Sequence, residues 1–136
     1  MDTRKINEEY AQIGADLIAT EESLMSIRNS NATIIYLSSQ HKKMSNKKII
    51  FGQCEKVAEK YKWGIPCDFT ITVFEPNIEE AGFDEEQIRT LIHHELLHVG
   101  IETADDGSEK YSIVPHDLED FKLIIDRYGT NWNLPK

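Results

Sequence analysis

Residues 94–98 read His-Glu-Leu-Leu-His, an H-E-x-x-H pentapeptide that does metal chemistry when it lies on a helix. Four residues turn a helix through about 400°, so the two imidazoles stand about 40° apart and one turn above one another. Both can then reach one ion at Zn–N distances of ~2.0–2.1 Å. The glutamate between them is placed to take a proton from a water activated by that ion, the arrangement of metal-assisted hydrolysis. With Ile88 at zero, the apolar residues Ile88, Leu91, Ile92, Leu96 and Val99 centre near ~20° and the histidines near ~240–280°. The pair therefore flanks the core, and Glu95, near ~340°, falls between core and metal face. His93, near ~140°, points away and is assigned a surface or packing role.

A catalytic zinc site needs three protein ligands and one open position. Glu102 would lie ~12 Å further along the same helix, so the third donor must come from elsewhere. His116 is the leading choice, with seventeen residues between it and His98, at the start of a final helical pattern, VPHDLEDF. Glu119, one turn further on, and Cys54 upstream are the alternatives. Asp120 or Asp117 could orient the His116 ring, as carboxylates around metal sites do. Tyr111 is conceivable as a group stabilising the transition state, but packing suits it better.

The elements that must position these residues are legible in outline. Asp84 with Gln87 three residues on is a capping-box signature, and the apolar stripe behind it predicts a helix over 85–100. CDFTITVF, residues 67–74, alternates Cys67, Phe69, Ile71 and Val73 against Asp68, Thr70 and Thr72, which predicts a strand. If that strand is an edge beside the motif helix, it could hold an extended peptide by strand addition. A second strand is expected at 32–38, and a helical stripe over 5–28 suits one long or two short helices. QHKKMSNKK reads as an exposed turn. Residues 48–62 fit helix and strand equally. A loop is expected near 104–107, then a helix from Pro115 to about Tyr128, closed by Gly129.

Composition narrows the possibilities. The chain has 136 residues, one domain's worth, 40% hydrophobic, with 15 basic against 24 acidic residues and a net charge of −9. That balance argues against a nucleic-acid or anionic-membrane binder. No apolar run approaches the ~20 residues of a membrane span, and the first residues lack the apolar core of a secretory signal. Two cysteines, Cys54 and Cys67, make no disulfide framework, so a reducing cytoplasm is the expected setting. Charge is segregated: eleven acids stand against Arg89 alone between Glu75 and Glu109, whereas Lys42 to Lys62 is predominantly basic. The acidic run is expected to form solvated faces, with a cationic substrate as the sharper alternative.

HHELLHVG followed by VPHDLEDF resembles the phage metallopeptidase family, short zincin-like domains akin to the SprT-like and minigluzincin proteases. CDFTITVF resembles that family's strand before the catalytic helix. The resemblance, over roughly residues 30–128, implies a compact zincin-like α+β fold with an N-terminal helix, a small twisted sheet, the motif helix and a C-terminal helix. It implies zinc ligation by His94, His98 and His116, Glu95 as catalytic carboxylate, and a peptide or protein substrate. It also implies that 48–58 contains a strand. The long metzincin pattern is not met, since Ile101 and Ala104 stand where its glycine and third histidine would be. A zinc hydrolase of a non-peptide or formyl-peptide bond, and a non-catalytic module merely braced by zinc, are the rival readings.

Overall fold

The computed structural model describes residues 4–45 and 47–115. The predicted C-terminal helix, and with it His116, Asp117, Glu119 and Asp120, lies outside the described residues.

The chain runs β1 (Arg4–Ile6), α1 (Glu8–Thr20), a 3-10 turn (Glu22–Leu24), α2 (Met25–Arg28), β2 (Ile34–Ser39), β3 (Met44–Ser45), β4 (Lys48–Ile49) and β5 (Gly52–Lys56). A second 3-10 turn (Glu59–Tyr61) leads to β6 (Phe69–Phe74), α3 (Glu75–Ala81), α4 (Glu85–Leu96), β7 (Val99–Thr103) and β8 (Glu109–Ile113). This is an α+β arrangement. The main sheet has the order β1-β2-β6-β5, with β2 parallel to β6 and both outer strands antiparallel to their neighbours. β3–β4 and β7–β8 are separate two-stranded ribbons.

Helices α1 and α4 pack on one face of the sheet. Leu17, Tyr36, Phe69, Ile71, Val73, Leu91, Ile92 and Leu96 close the core there. The in-register row Tyr36–Ile71–Cys54 crosses that face and shows how alternation sends every second side chain inward. An Arg89–Asp16 ion pair at 2.6 Å joins the two helices at the surface. Asn7 caps α1 by accepting the Tyr10 N–H at 3.0 Å. α4 begins with the expected capping box, Asp84 and Gln87 each satisfying the other's backbone N–H.

Three sequence expectations need correction. Residues 67–74 do not form an edge: β6 is central, flanked by β2 and β5. Thr72 and Phe74, on the face opposite Ile71, are as fully buried as the inward row, so alternation could not reveal two covered faces. The edge beside the motif helix is β5, in the stretch where periodicity was undecided and the family resemblance implied a strand. The motif helix also stops early, at Leu96 rather than at residue 100, because β7 begins at Val99 and pulls the chain into a ribbon. Finally, the stripe read as helical from residue 5 starts inside a strand, because Arg4–Ile6 pairs with β2 and α1 begins only at Glu8; the short α3, on which the sequence carried no expectation, is closed by Gly82 in the left-handed region, φ 72°.

Candidate metal centre

His94 and Glu95 sit in the last turn of α4, and His98 stands just past its end. The closing turn is tightened: the His98 N–H donates to the Glu95 carbonyl, three residues back, at 3.1 Å, and Leu97 keeps a helical φ of −68°. The two imidazoles therefore remain neighbours, with ring centroids 5.3 Å apart and planes inclined at 70°. His94 is 8% and Glu95 5% exposed, so both lie at the floor of the surface and not out in solvent.

His98 is gripped by the ribbon that follows it. The Val114 N–H donates to the His98 carbonyl at 2.7 Å, continuing the β7–β8 ladder by one pair. The Val114 carbonyl lies 2.6 Å from His98 Nδ1. A carbonyl can only accept, so Nδ1 carries the proton and Nε2 presents a lone pair. This is how backbone carbonyls fix the tautomer and orientation of metal-binding histidines. Nε2 lies 4.0 Å from Glu95 Oε1. The donor chemistry fits a borderline divalent ion such as Zn2+, for which neutral imidazole is a preferred ligand.

Gly52 of β5 lets the sheet edge approach Glu95. A Cβ at this position would stand 3.2 Å from Glu95 Oε2 and 3.2 Å from Leu91 Cδ1. The bonding parity of β5 is set by two backbone pairs, Phe74 N–H to the Phe51 carbonyl and Val57 N–H to the Asp68 carbonyl. Residues 51, 53, 55 and 57 thus face β6, while Gly52, Cys54 and Lys56 turn their backbone N–H and C=O groups to the edge, where no strand pairs with them among the described residues. Sequence reading had no signal for this, since parity depends on register.

The remaining candidates are placed as follows. His93 is fully buried and meets Ser23 Oγ through Nε2 at 3.0 Å, the packing branch of its expected role. Cys54 is partly buried on the core side of β5. Burial, then the negative charges of Glu95 and Glu55, push its thiol up to about 12, away from the thiolate a metal takes. Cys67 is buried and free. Tyr111 packs edge-on to Phe69 at 5.6 Å and donates to Glu109 at 2.7 Å. That hydrogen bond and burial push the Tyr111 phenol up to about 12, which suits packing and not proton traffic. Among the described residues no group of three or more His, Cys, Asp and Glu side chains comes together as a metal site. Nor is any described helix long and apolar enough to cross a membrane.

With this geometry in hand, comparison with known proteins gives a family. A model described as "Putative phage metallopeptidase" matches residues 4–134, and the chain belongs to that family. The family description implies a metal ion and peptidase activity on protein or peptide substrates. Searches of the curated proteins and of the solved structures each return no match.

Proposed function

We propose that this chain, acting as one zincin-like domain, is a zinc-dependent peptidase in which His94, His98 and His116 hold the ion and Glu95 is the general base. The observation that carries the reading is the double tie between His98 and Val114. It commits the His98 ring to the tautomer a metal needs, and it starts the following segment beside the ring.

Held by these imidazoles, a divalent ion would supply Lewis-acid polarisation of a scissile carbonyl and a water activated near neutral pH. The residues of the chain supply the rest. Glu95, screened from solvent, accepts the proton of the attacking water and passes it to the leaving amine. The edge of β5 offers three outward-facing residues for an extended peptide, and Gly52 brings that edge close to Glu95. This assigns to β5 the substrate-holding role first expected of residues 67–74.

Elemental analysis of the purified protein, with turnover of a mixed peptide library, tests the reading. Wild-type protein is expected to hold one zinc per chain. Glu95→Gln should keep the metal and lose turnover by about 10²–10⁴-fold, the usual range for a lost general base. His116→Ala should lose metal where Glu119→Ala and Cys54→Ser retain it. Full turnover in Glu95→Gln, or full zinc in His116→Ala, refutes the corresponding assignment.

A further inference from the structure

The basic stretch that stood out in the sequence is absorbed by no part of the mechanism above. Between Lys42 and Lys62 seven lysines oppose Glu55 and Glu59, a local charge of +5 in a chain of net charge −9. The structure sets some of these residues near the two ends of β5, an edge strand among the described residues. At the Gly52 end stands the β3–β4 ribbon. Its root is closed by Ile50 N–H donating to the Lys43 carbonyl at 3.1 Å. Asn77 clamps it, donating from Nδ2 to the Lys43 carbonyl at 3.0 Å and to the Ile50 carbonyl at 2.7 Å. The ribbon is thus held at a set position, two residues upstream of Gly52. Lys47 and Lys48 are exposed and Lys43 is half-buried; none of the three has an ion-pair partner among the described residues. Lys42 does, reaching Glu80 at 3.3 Å. At the far end of the edge lies exposed Lys56.

Resting on the peptidase reading, we infer that this lysine ribbon selects the substrate: it draws in extended protein segments bearing Asp or Glu just past the stretch paired with β5. A segment laid along Gly52, Cys54 and Lys56 that continues past Gly52 enters the field of Lys43, Lys47 and Lys48 within about two residues, or ~7 Å. Strand addition uses only backbone bonds and accepts many sequences, so discrimination has to come from side chains beside the edge. Lysines of one sign on a fixed ribbon supply it, by attraction of carboxylates and rejection of basic segments. Within the acidic run between Glu75 and Glu109, which suggested a cationic substrate, Glu80 of α3 is paired with Lys42.

The test uses the full chain with Glu95→Gln, which reads binding without turnover, and two labelled unstructured peptides. One carries a run of Asp and Glu; in its twin every acid is the amide. By fluorescence anisotropy the acidic peptide is expected to bind about tenfold more tightly, the yield of three partly exposed charge pairs. The preference should shrink as salt rises and vanish in Lys43→Glu/Lys47→Glu/Lys48→Glu. The triple Lys→Gln variant, which should lose the preference without acquiring repulsion, guards against a fold defect, and a thermal melt of each variant checks it. If both peptides bind equally while zinc-loaded wild type still cleaves them, the ribbon assignment is overturned and the peptidase reading stands. If zinc-loaded wild type neither binds nor cleaves either peptide, both readings fall. A single-stranded DNA oligonucleotide bound in place of the acidic peptide, with the same sensitivity to charge reversal, overturns the inference in favour of a nucleic-acid ribbon.

Discussion

Replacing Gly52 by alanine is the sharpest probe of the joint between sheet edge and motif helix. The new Cβ would meet Glu95 Oε2 and Leu91 Cδ1 at 3.2 Å, against an optimum of ~3.5–4.0 Å for such contacts. One of the partners must therefore give by a few tenths of an ångström. Two opposing effects act on stability. Alanine restricts the unfolded chain and stabilises by ~0.4–1 kcal/mol, while the squeezed contact costs an amount of the same order. For 136 residues the unfolding entropy is about 0.29 kcal/mol/K, so a net change within ~1 kcal/mol moves Tm by no more than ~3–4 °C. Catalysis has no such offset. A misplacement of ~1 Å costs on the order of 10²-fold in rate, so a shift of under half that predicts a fall in kcat of about tenfold. The assay is kcat on any cleaved peptide beside a calorimetric melt, with Gly64→Ala as control because nothing lies within 4 Å of its added Cβ. Unchanged kcat in Gly52→Ala would refute the claim that Glu95 and β5 share one tight joint. A large loss of Tm would refute the claim that the strain is absorbed locally.

Other outcomes follow from contacts away from the edge. Ser23→Ala removes the hydroxyl that meets fully buried His93 at 3.0 Å; about 1 kcal/mol is expected, or a Tm lower by ~3–4 °C. An unshifted melt would show that this contact does not hold the end of α4. Asp68 gives a pH signature. Burial alone would raise its carboxyl, but hydrogen bonds from Lys62 and from Thr33 outweigh burial and hold it below the usual carboxylate range. A depressed folded-state pKa means stability that is present above the unfolded value of ~3.9 and lost as pH falls through the folded one. The Tm gap between wild type and Asp68→Asn should therefore be steady from neutral pH to about pH 5 and close in stronger acid. A gap independent of pH would remove this ion pair from the stability balance.

What the sequence disclosed depended on whether local pattern or distant register decides the element. α4 announced itself through its cap and stripe, because Asp84, Gln87 and the apolar face are all local signals. β2 and β6 were equally clear from their β-branched, alternating residues. β5 was not: Gly52–Lys56 is half-buried throughout but for exposed Lys56, so no alternation marks it, and only pairing with β6 makes it a strand. The β7–β8 ribbon was hidden for a related reason. Val99 continues the helical stripe of α4, and nothing within residues 97–100 says that Ile113 will pair with it. Only the turn at its tip, with Gly107 at φ 87°, was visible as a loop.

The histidine pair shows how helical spacing gives only part of the geometry. Simple helix geometry puts His94 and His98 about 40° apart, yet the helix ends between them. The tightened turn advances about 120° per residue instead of 100°, which carries His98 further round the axis; its ring plane lies at 70° to that of His94. A lone helix end would let such a ring swing freely. Here the returning strand stops that, because Val114 holds both the backbone and the Nδ1 of His98. The H-E-x-x-H spacing thus supplies proximity, and the ribbon supplies orientation. Lengthening the ribbon's turn by one glycine after Gly107 should leave the ladder intact, because the added residue enters at an exposed tip. Inserting one between Ile113 and Val114 shifts Val114 off His98 and should weaken zinc affinity by about 10–100-fold, the usual cost of losing such a partner. Equal zinc affinity for the two insertions, read by competition with a chelating dye, would show that the ribbon orients nothing.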